Sequence, residues 1–378
     1  MKKALIYGAG NIGRGFIGQL FHESGYATCF VDVNPLIVGE INLRGEYPVK
    51  IVSSDSRYEV TVRNIRAVNG KDTDITASEV ANCEILATAV GVNALPHIAE
   101  SLSLGILLRR ENEMPPLNIL LCENMMDCSG FLRGLVLQRL GKSLESYLNS
   151  HVGFVEASIG RMVPVMTQDM QEGNPLRIWV EPYSSLPVDK DGFRGTIPGI
   201  LHMEPFSPFS FYIKRKLYIH NMGHAFCAYM GHWEGHQYIH EAVGDRVIHA
   251  AVANAMEDCA SALIQEYGIP KAPLQEHIAD LLRRFGNKAL GDTVERVARE
   301  PERKLKPSDR LTGAALYCLS MSIPTGNISR GIAYGLRYLS SEKPAEELVK
   351  EYCMLEDGHP VFVEVVREYN EMGNWPKH

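Results

Sequence analysis

Ala4-Leu5-Ile6-Tyr7-Gly8-Ala9-Gly10-Asn11-Ile12-Gly13 decides how the first third of the chain folds. Four apolar residues of strand type run straight into glycines spaced G-x-G-x-x-G, and residues 12–24 then read as a helix. In that context each glycine has a mechanical task. Gly8 permits a tight turn, Gly10 lets a pyrophosphate approach the backbone, and Gly13 lets the helix pack closely on the strand. The helix start adds free N–H groups and a partial positive charge. Gly8, Ala9, Gly10, Asn11, Ile12 and Gly13 are therefore candidate contacts to a dinucleotide.

Working outward, residues 27–31 form a second apolar run that ends at Asp32. A carboxylate there accepts hydrogen bonds from the adenosine ribose hydroxyls. The residues after it are Val33, Asn34 and Pro35, with no cation to neutralise a 2′-phosphate, so NAD is favoured over NADP. Residues 85–90 and 118–122 read as buried strands. Ligands of open α/β sheets sit at the carboxyl ends of strands, so Thr88, Gly91 and Asn124 join the candidates, with Glu123 beside them. Arg14 either touches the pyrophosphate or forms a surface pair.

Strands alternating with helices imply a mostly parallel, doubly wound sheet with both faces covered. Residues 48–68 alternate apolar and polar and suggest an antiparallel hairpin inserted in that pattern. Residues 151–165 and 176–188 read as two more strands, followed by a Gly- and Pro-rich loop at 189–208. Beyond it, segments such as 250–267 and 274–284 space their apolar residues by three and four. The expected organisation is an α/β domain over residues 1–200 and a mostly α-helical domain over 201–378.

Composition narrows the function classes. The 378 residues carry a formal charge of −7, with 45% hydrophobic and 22% charged residues. Those proportions are globular. The mild acidity argues against nucleic acid as a partner, and no run approaches the ~20 apolar residues of a membrane helix. The eight cysteines form no C-x-x-C pair, which suggests buried thiols in a reducing, cytoplasmic setting. The expected partner is a small molecule, and the expected assembly a monomer or small homo-oligomer.

A nicotinamide cofactor carries hydride, and the protein must move the proton. Oxidising an alcohol needs a base for the hydroxyl and donors for the reacting oxygen. Lys214-Arg215-Lys216-Leu217-Tyr218-Ile219-His220-Asn221-Met222-Gly223-His224 supplies candidates. On an α-helix Lys216, Asn221 and His224 fall at roughly 0°, 140° and 80°, near one face. A lysine stripped of water beside the cofactor becomes usable as a base. The same residues also fit a solvated helix face. His220/His224 and His232/His236/His240 have the spacing of helical zinc ligands, but no catalytic zinc pattern of Glu or Cys surrounds them. No metal is expected.

Lys216-x-x-x-x-Asn221-x-x-His224 resembles the signature of the polyol-specific long-chain dehydrogenases. The likeness runs over nearly the whole chain. It includes Gly8-Ala9-Gly10-Asn11-Ile12-Gly13-Arg14-Gly15, Asp32-Val33-Asn34, Thr88-Ala89-Val90-Gly91 and Cys122-Glu123-Asn124-Met125, then Arg284-Phe285-x-Asn287, Leu290-x-Asp292 and Arg303-Lys304-Leu305. It implies a Rossmann-type N-terminal domain, a helical C-terminal domain, and substrate bound between them. It implies metal-independent, NAD-dependent chemistry with Lys216 as base and Asn221 and His224 on the reacting oxygen. Within the family the chain is most similar to the branch that interconverts mannitol 1-phosphate and fructose 6-phosphate. Free-polyol and hexuronate reactions of the same family, and a non-catalytic NAD sensor, are the rivals.

Two positions depart from the family pattern. Gly160 precedes Arg161 where relatives carry aspartate, so an anchor for Arg161 is missing. Glu156 stands where free-polyol relatives carry an oxyanion-binding asparagine. For the phosphate, Arg296, Arg299, Arg303, Lys304, Lys306 and Arg310 form the densest basic run. Either it is a solvated face paired with Glu295, Glu300 and Glu302, or one or two members reach the substrate, with Arg303 and Lys304 chosen. Asn287 and Asp292 are expected to cap or brace helices.

Overall fold

The computed structural model describes residues 1–164 and 166–373. The chain divides into two compact units that meet between Ser210 and Phe211, ten residues beyond the boundary expected at 200. The extra residues stay with the first unit because Met203–Phe206 pairs in parallel with Leu186–Asp189.

The strands of the first unit are β1 (Lys2–Tyr7), β2 (Tyr26–Asp32), β3 (Glu46–Val52), β4 (Arg57–Arg63), β5 (Ile65–Asn69), β6 (Ile85–Thr88), β7 (Leu117–Leu121), β8 (Val152–Glu156), β9 (Ile178–Val180), β10 (Leu186–Asp189) and β11 (Met203–Phe206). Six form one sheet in the order β5-β2-β1-β6-β7-β8. Every pairing within it is parallel. Counting only these strands, the order is the doubly wound 3-2-1-4-5-6. The period of two explains why the strands are apolar throughout. Ala4 and Ile6 enter one core with Phe30, Ile85 and Leu120, while Leu5 and Tyr7 enter the other with Cys29, Leu86 and Ile119. Burying each large side chain contributes roughly 1.5–3 kcal/mol.

The expected hairpin forms, but ends earlier. β3 and β4 pair antiparallel, and β9 joins β3 to make a small second sheet. Residues 65–68, read as part of the hairpin, instead pair in parallel with β2. Asn64, at φ 58°, turns the chain between the two, a backbone state asparagine tolerates. The stretch 176–188 is two short strands rather than one. Pro182 lies in the gap and removes a ladder donor. The stretch 151–165 keeps strand form only to Glu156, and Val165 lies outside the described residues. Beyond Glu156 the chain leaves the sheet as Arg161 turns inward to bond backbone carbonyls.

The second unit is mainly helical, as expected. Its helices include Met222–Trp233, Arg246–Tyr267, Lys271–Phe285, Thr312–Ser320, Gly326–Tyr338 and Pro360–Glu371. Asp245 starts the longest by accepting from the N–H groups of Val247 and Ile248 at 2.7 and 3.1 Å. Gly268, at φ 64°, ends it. This 22-residue helix is long and apolar enough to cross a membrane by length and composition. In the structure its stripe of Ile248, Val252, Ala255, Met256, Cys259 and Leu263 is buried in the unit's core.

One buried charge braces the sheet's outer layer. Arg109, 3% exposed, donates to the carbonyls of Ala81 and Cys83, both at 2.8 Å, and to Pro115 at 2.7 Å. It thereby closes the carboxyl end of helix Thr73–Asn82, whose last carbonyls have no partner within the helix. Burial holds its guanidinium below the usual value, with no carboxylate beside it. Arg109→Met strands these carbonyls and is expected to cost about 2–4 kcal/mol, measured as a lower urea midpoint at unchanged slope.

Candidate active site

The glycine loop is shaped by backbone contact. A Cβ on Gly8 would lie 2.3 Å from the Ala89 carbonyl oxygen, and one on Gly13 would lie 1.9 Å from the Gly8 carbonyl oxygen. Gly8 also sits at φ +97°. These two glycines are required by the fold. Gly10 is different, because nothing lies within 4 Å of where its Cβ would be. Gly10 and Asn11 are exposed, Ile12 is half-buried, and Gly8, Ala9 and Gly13 are buried. The loop therefore presents its Gly10 side, with open space, at the start of the helical segment Gly13–Ile17. A pyrophosphate fits that cradle.

Asp32 ends β2 beside it and is half-buried. Its Oδ2 accepts from Ala9 N at 2.8 Å and its Oδ1 from Asn34 N at 2.9 Å. One carboxylate thus locks the loop and keeps further lone pairs for ribose hydroxyls. Arg14 takes neither role left open for it. It is 7% exposed and donates to the carbonyls of Ala9, at 2.6 Å, and Leu176. It holds the underside of the loop, and burial lowers the pKa of its guanidinium.

At the ends of β6 and β7 the candidates separate. Gly91 and Asn124 are exposed. Thr88 is not available to a ligand: it is 0% exposed, within the sheet. The residue that organises this edge is Glu123, whose two oxygens accept from Val90 N at 3.0 Å and Gly91 N at 2.8 Å. Glu156 accepts from the amide and hydroxyl of Ser129 at 3.2 and 3.1 Å, bracing the first turn of helix Cys128–Leu140. Arg161 is anchored without the missing aspartate. It bonds the carbonyls of Glu181 and Gly15 at 2.9 and 3.1 Å and the Gln19 amide oxygen at 2.8 Å. Gly160 makes room for the Tyr183 ring, 3.0 Å from a Cβ there.

In the second unit Lys216 and Asn221 lie in a π-helical turn, Arg215–Asn221, that runs directly into the α-helix Met222–Trp233. The uniform α spacing assumed from sequence is therefore incorrect here. Hydrogen bonds from i to i+5 widen the turn, so residues five apart come onto one side. Lys216 and Asn221 are such a pair, and His224 follows less than one α turn later. All three are half-buried. The His224 ring stacks on Phe285 at 4.7 Å. Its Nε2 lies 3.0 Å from Asp292 Oδ2. Asp292 Oδ1 takes Arg296 Nε at 2.8 Å. Burial raises the Asp292 pKa, but His224 and Arg296 outweigh it and hold the carboxyl below its usual range. Asp292 thus braces a candidate catalytic imidazole, more than the helix expected for it. Asn287 accepts from Ala289 N at 3.2 Å, a turn cap as expected.

Around His220 and His277 the field is positive. His220, 8% exposed, is held well below its usual pKa by burial, then by Arg284, His224, His277 and Lys216. His277 is pushed down to about 3 by burial, Arg215 and Arg284. The two basic residues chosen for phosphate are engaged elsewhere. Lys304 is 6% exposed and donates to the carbonyl of Val297 at 2.5 Å and to that of Arg299. Burial brings its pKa down to about 8. Arg303 is exposed and paired with Glu300 at 2.8 Å and Asp309 at 2.7 Å. Lys304 is thus structural, and Arg303 belongs to a paired face. Glu123, Asp292 and Arg161 were not assigned these roles from sequence. The only signal was position, Glu123 directly after a strand and Asp292 within a motif.

Comparison with known proteins agrees with this architecture. Residues 2–201 match the family model "Mannitol dehydrogenase Rossmann domain", and residues 209–360 match "Mannitol dehydrogenase C-terminal domain". The structure is similar to Pseudomonas fluorescens mannitol 2-dehydrogenase in ternary complex with NAD and D-mannitol, with TM-score 0.79 and 14% identity over 99% of this chain and 92% of that one. It is also similar to a substrate-free D-sorbitol dehydrogenase, with TM-score 0.85 and 13% identity over 98% and 93% of the two chains. An octopine dehydrogenase in complex with NADH and agmatine shares the fold at TM-score 0.52 and 12% identity, over 98% and 96%. With both of its units matched, the chain belongs to the mannitol dehydrogenase family, oxidoreductases acting on CH–OH groups.

Proposed function

We propose that the chain is an NAD-dependent mannitol-1-phosphate 5-dehydrogenase that interconverts D-mannitol 1-phosphate and D-fructose 6-phosphate without a metal. The observation that carries this reading is the π turn bringing Lys216 and Asn221 to one side, with His224 braced by Asp292 just beyond it. NAD, when bound, accepts or returns the hydride. The N–H groups from Gly10 onward hold the pyrophosphate, and Asp32 accepts from the adenosine ribose. In the oxidation direction Lys216 Nζ takes the proton of the substrate hydroxyl, and in reduction it gives that proton back. Asn221 and His224 hold the reacting oxygen in line, so its developing charge meets fixed partners.

A phosphorylated substrate is supported by the cations grouped around His220 and His277. Arg215 and Arg284 depress His277, and Arg284 and Lys216 help depress His220. An anion entering that field is attracted, and guanidinium groups suit a phosphate dianion. We therefore take Arg284, which also pairs with Asp280 at 3.6 Å, and its neighbours as the expected phosphate contact in place of Arg303 and Lys304. A free polyol is the second reading. It is favoured by the internal engagement of Lys304 and by the similarity to enzymes named for mannitol and sorbitol.

Three measurements test these assignments. With NADH and a ketose panel followed by absorbance, fructose 6-phosphate is expected to exceed fructose and the hexuronates in kcat/KM by about a hundredfold or more. Equal rates with fructose would leave the free-polyol reading. Lys216→Ala is expected to keep NADH binding while kcat falls by about 10²–10⁴-fold, and an unchanged rate removes Lys216 as the base. Asp32→Ser should weaken NADH and narrow its advantage over NADPH, read as the ratio of the two dissociation constants. A constant ratio overturns the ribose assignment.

A further inference from the structure

We propose that Glu123 is a positioning residue for the nicotinamide ring of the dinucleotide, acting through the backbone of Val90 and Gly91. It rests on the NAD reading above. β6 and β7 are parallel neighbours, and their carboxyl ends open side by side where α/β sheets receive ligands. After β6 the chain must turn outward, and Gly91 does so at φ +86°. That turn aims two successive N–H groups at one carboxylate. Glu123 Oε1 takes Val90 N at 3.0 Å, and Oε2 takes Gly91 N at 2.8 Å.

The arrangement has two consequences. The loop has one shape, because a two-oxygen acceptor on consecutive amides leaves it little freedom. Two N–H donors are also consumed at this edge, so it does not compete with the glycine loop for the pyrophosphate. Glu123 is 8% exposed, and such charge-assisted bonds are strong when water is excluded. Gly91 remains exposed, with nothing within 4 Å of where a Cβ would be. The surface the clamp shapes is therefore open to a ligand. The glycine loop is held separately, by Asp32 and Arg14. A defect in the Glu123 clamp should then affect one end of the cofactor and spare the other.

That separation is the test. Glu123→Gln keeps the size but offers one acceptor in place of two, and presents an NH₂ to the second N–H. Binding is measured for NADH and, separately, for ADP-ribose, which lacks the nicotinamide. The expected result is a loss of about ten- to a hundredfold for NADH, the worth of one charge-assisted bond, with ADP-ribose affinity unchanged. Equal losses for both ligands, or no loss for either, overturn the proposal. Glu123→Asp, which keeps the charge but is too short to reach both amides, should show the same split more weakly. It carries the test if the Gln variant does not fold. A wild-type chain that binds neither ligand overturns the cofactor reading itself, whereas wild-type NADH binding with an unaltered Glu123→Gln variant overturns this inference alone.

Discussion

Where β1 turns into its helix, a Cβ on Gly13 would stand 1.9 Å from the Gly8 carbonyl oxygen. No side chain can stand between strand and helix there, so the first helix is pulled directly against the sheet. Much of the first unit follows from that closeness. Asp32 reaches the amide of Ala9 from the neighbouring strand, and Arg14 reaches the carbonyl of Ala9 from the helix. The loop is held from both sides and keeps only the Gly10 edge open. A rigid backbone cradle of this kind binds an anion with little ordering cost at the moment of binding.

The second unit reaches its constellation by another route. Its helix changes pitch between Arg215 and Asn221, then resumes α geometry. A π turn forgoes optimal backbone bonding, and such turns are frequent at functional sites. What it gains here is the placement of Lys216 and Asn221 on one side. Phe285 then stacks on His224, and Asp292 lies 3.0 Å from its Nε2. The positive field around His220 and His277 is a further result of packing, since it joins residues from separate helices: Arg215 and Lys216 on one, His277 and Arg284 on another.

The two departures from the family pattern have structural answers. Arg161 lacks the aspartate found in relatives but satisfies its guanidinium on carbonyls and an amide. Glu156 is committed to a helix start. Neither disturbs the glycine loop or the Lys216 helix, so neither supports a chain that has kept the fold and lost its chemistry.

Local signals carried the fold. A glycine triplet after four apolar residues, and apolar spacing that switches from two to three and four, announced a parallel sheet followed by a helical half. They did so because turn sterics and amphipathic periods are properties of neighbouring residues. The glycine triplet and the strand end put Gly10 and Asp32 forward as candidates, and the Lys216-x-x-x-x-Asn221-x-x-His224 signature put forward the other three. Long-range packing decided the rest. Lys304 and Arg303 look alike in sequence, yet one is buried among carbonyls and the other paired at the surface. Thr88 is enclosed by its neighbours, and Glu123 finds Val90 and Gly91 more than thirty residues away. Charge and hydrogen-bond capacity are written in each residue, but what a residue spends them on depends on what the fold brings within about 3 Å.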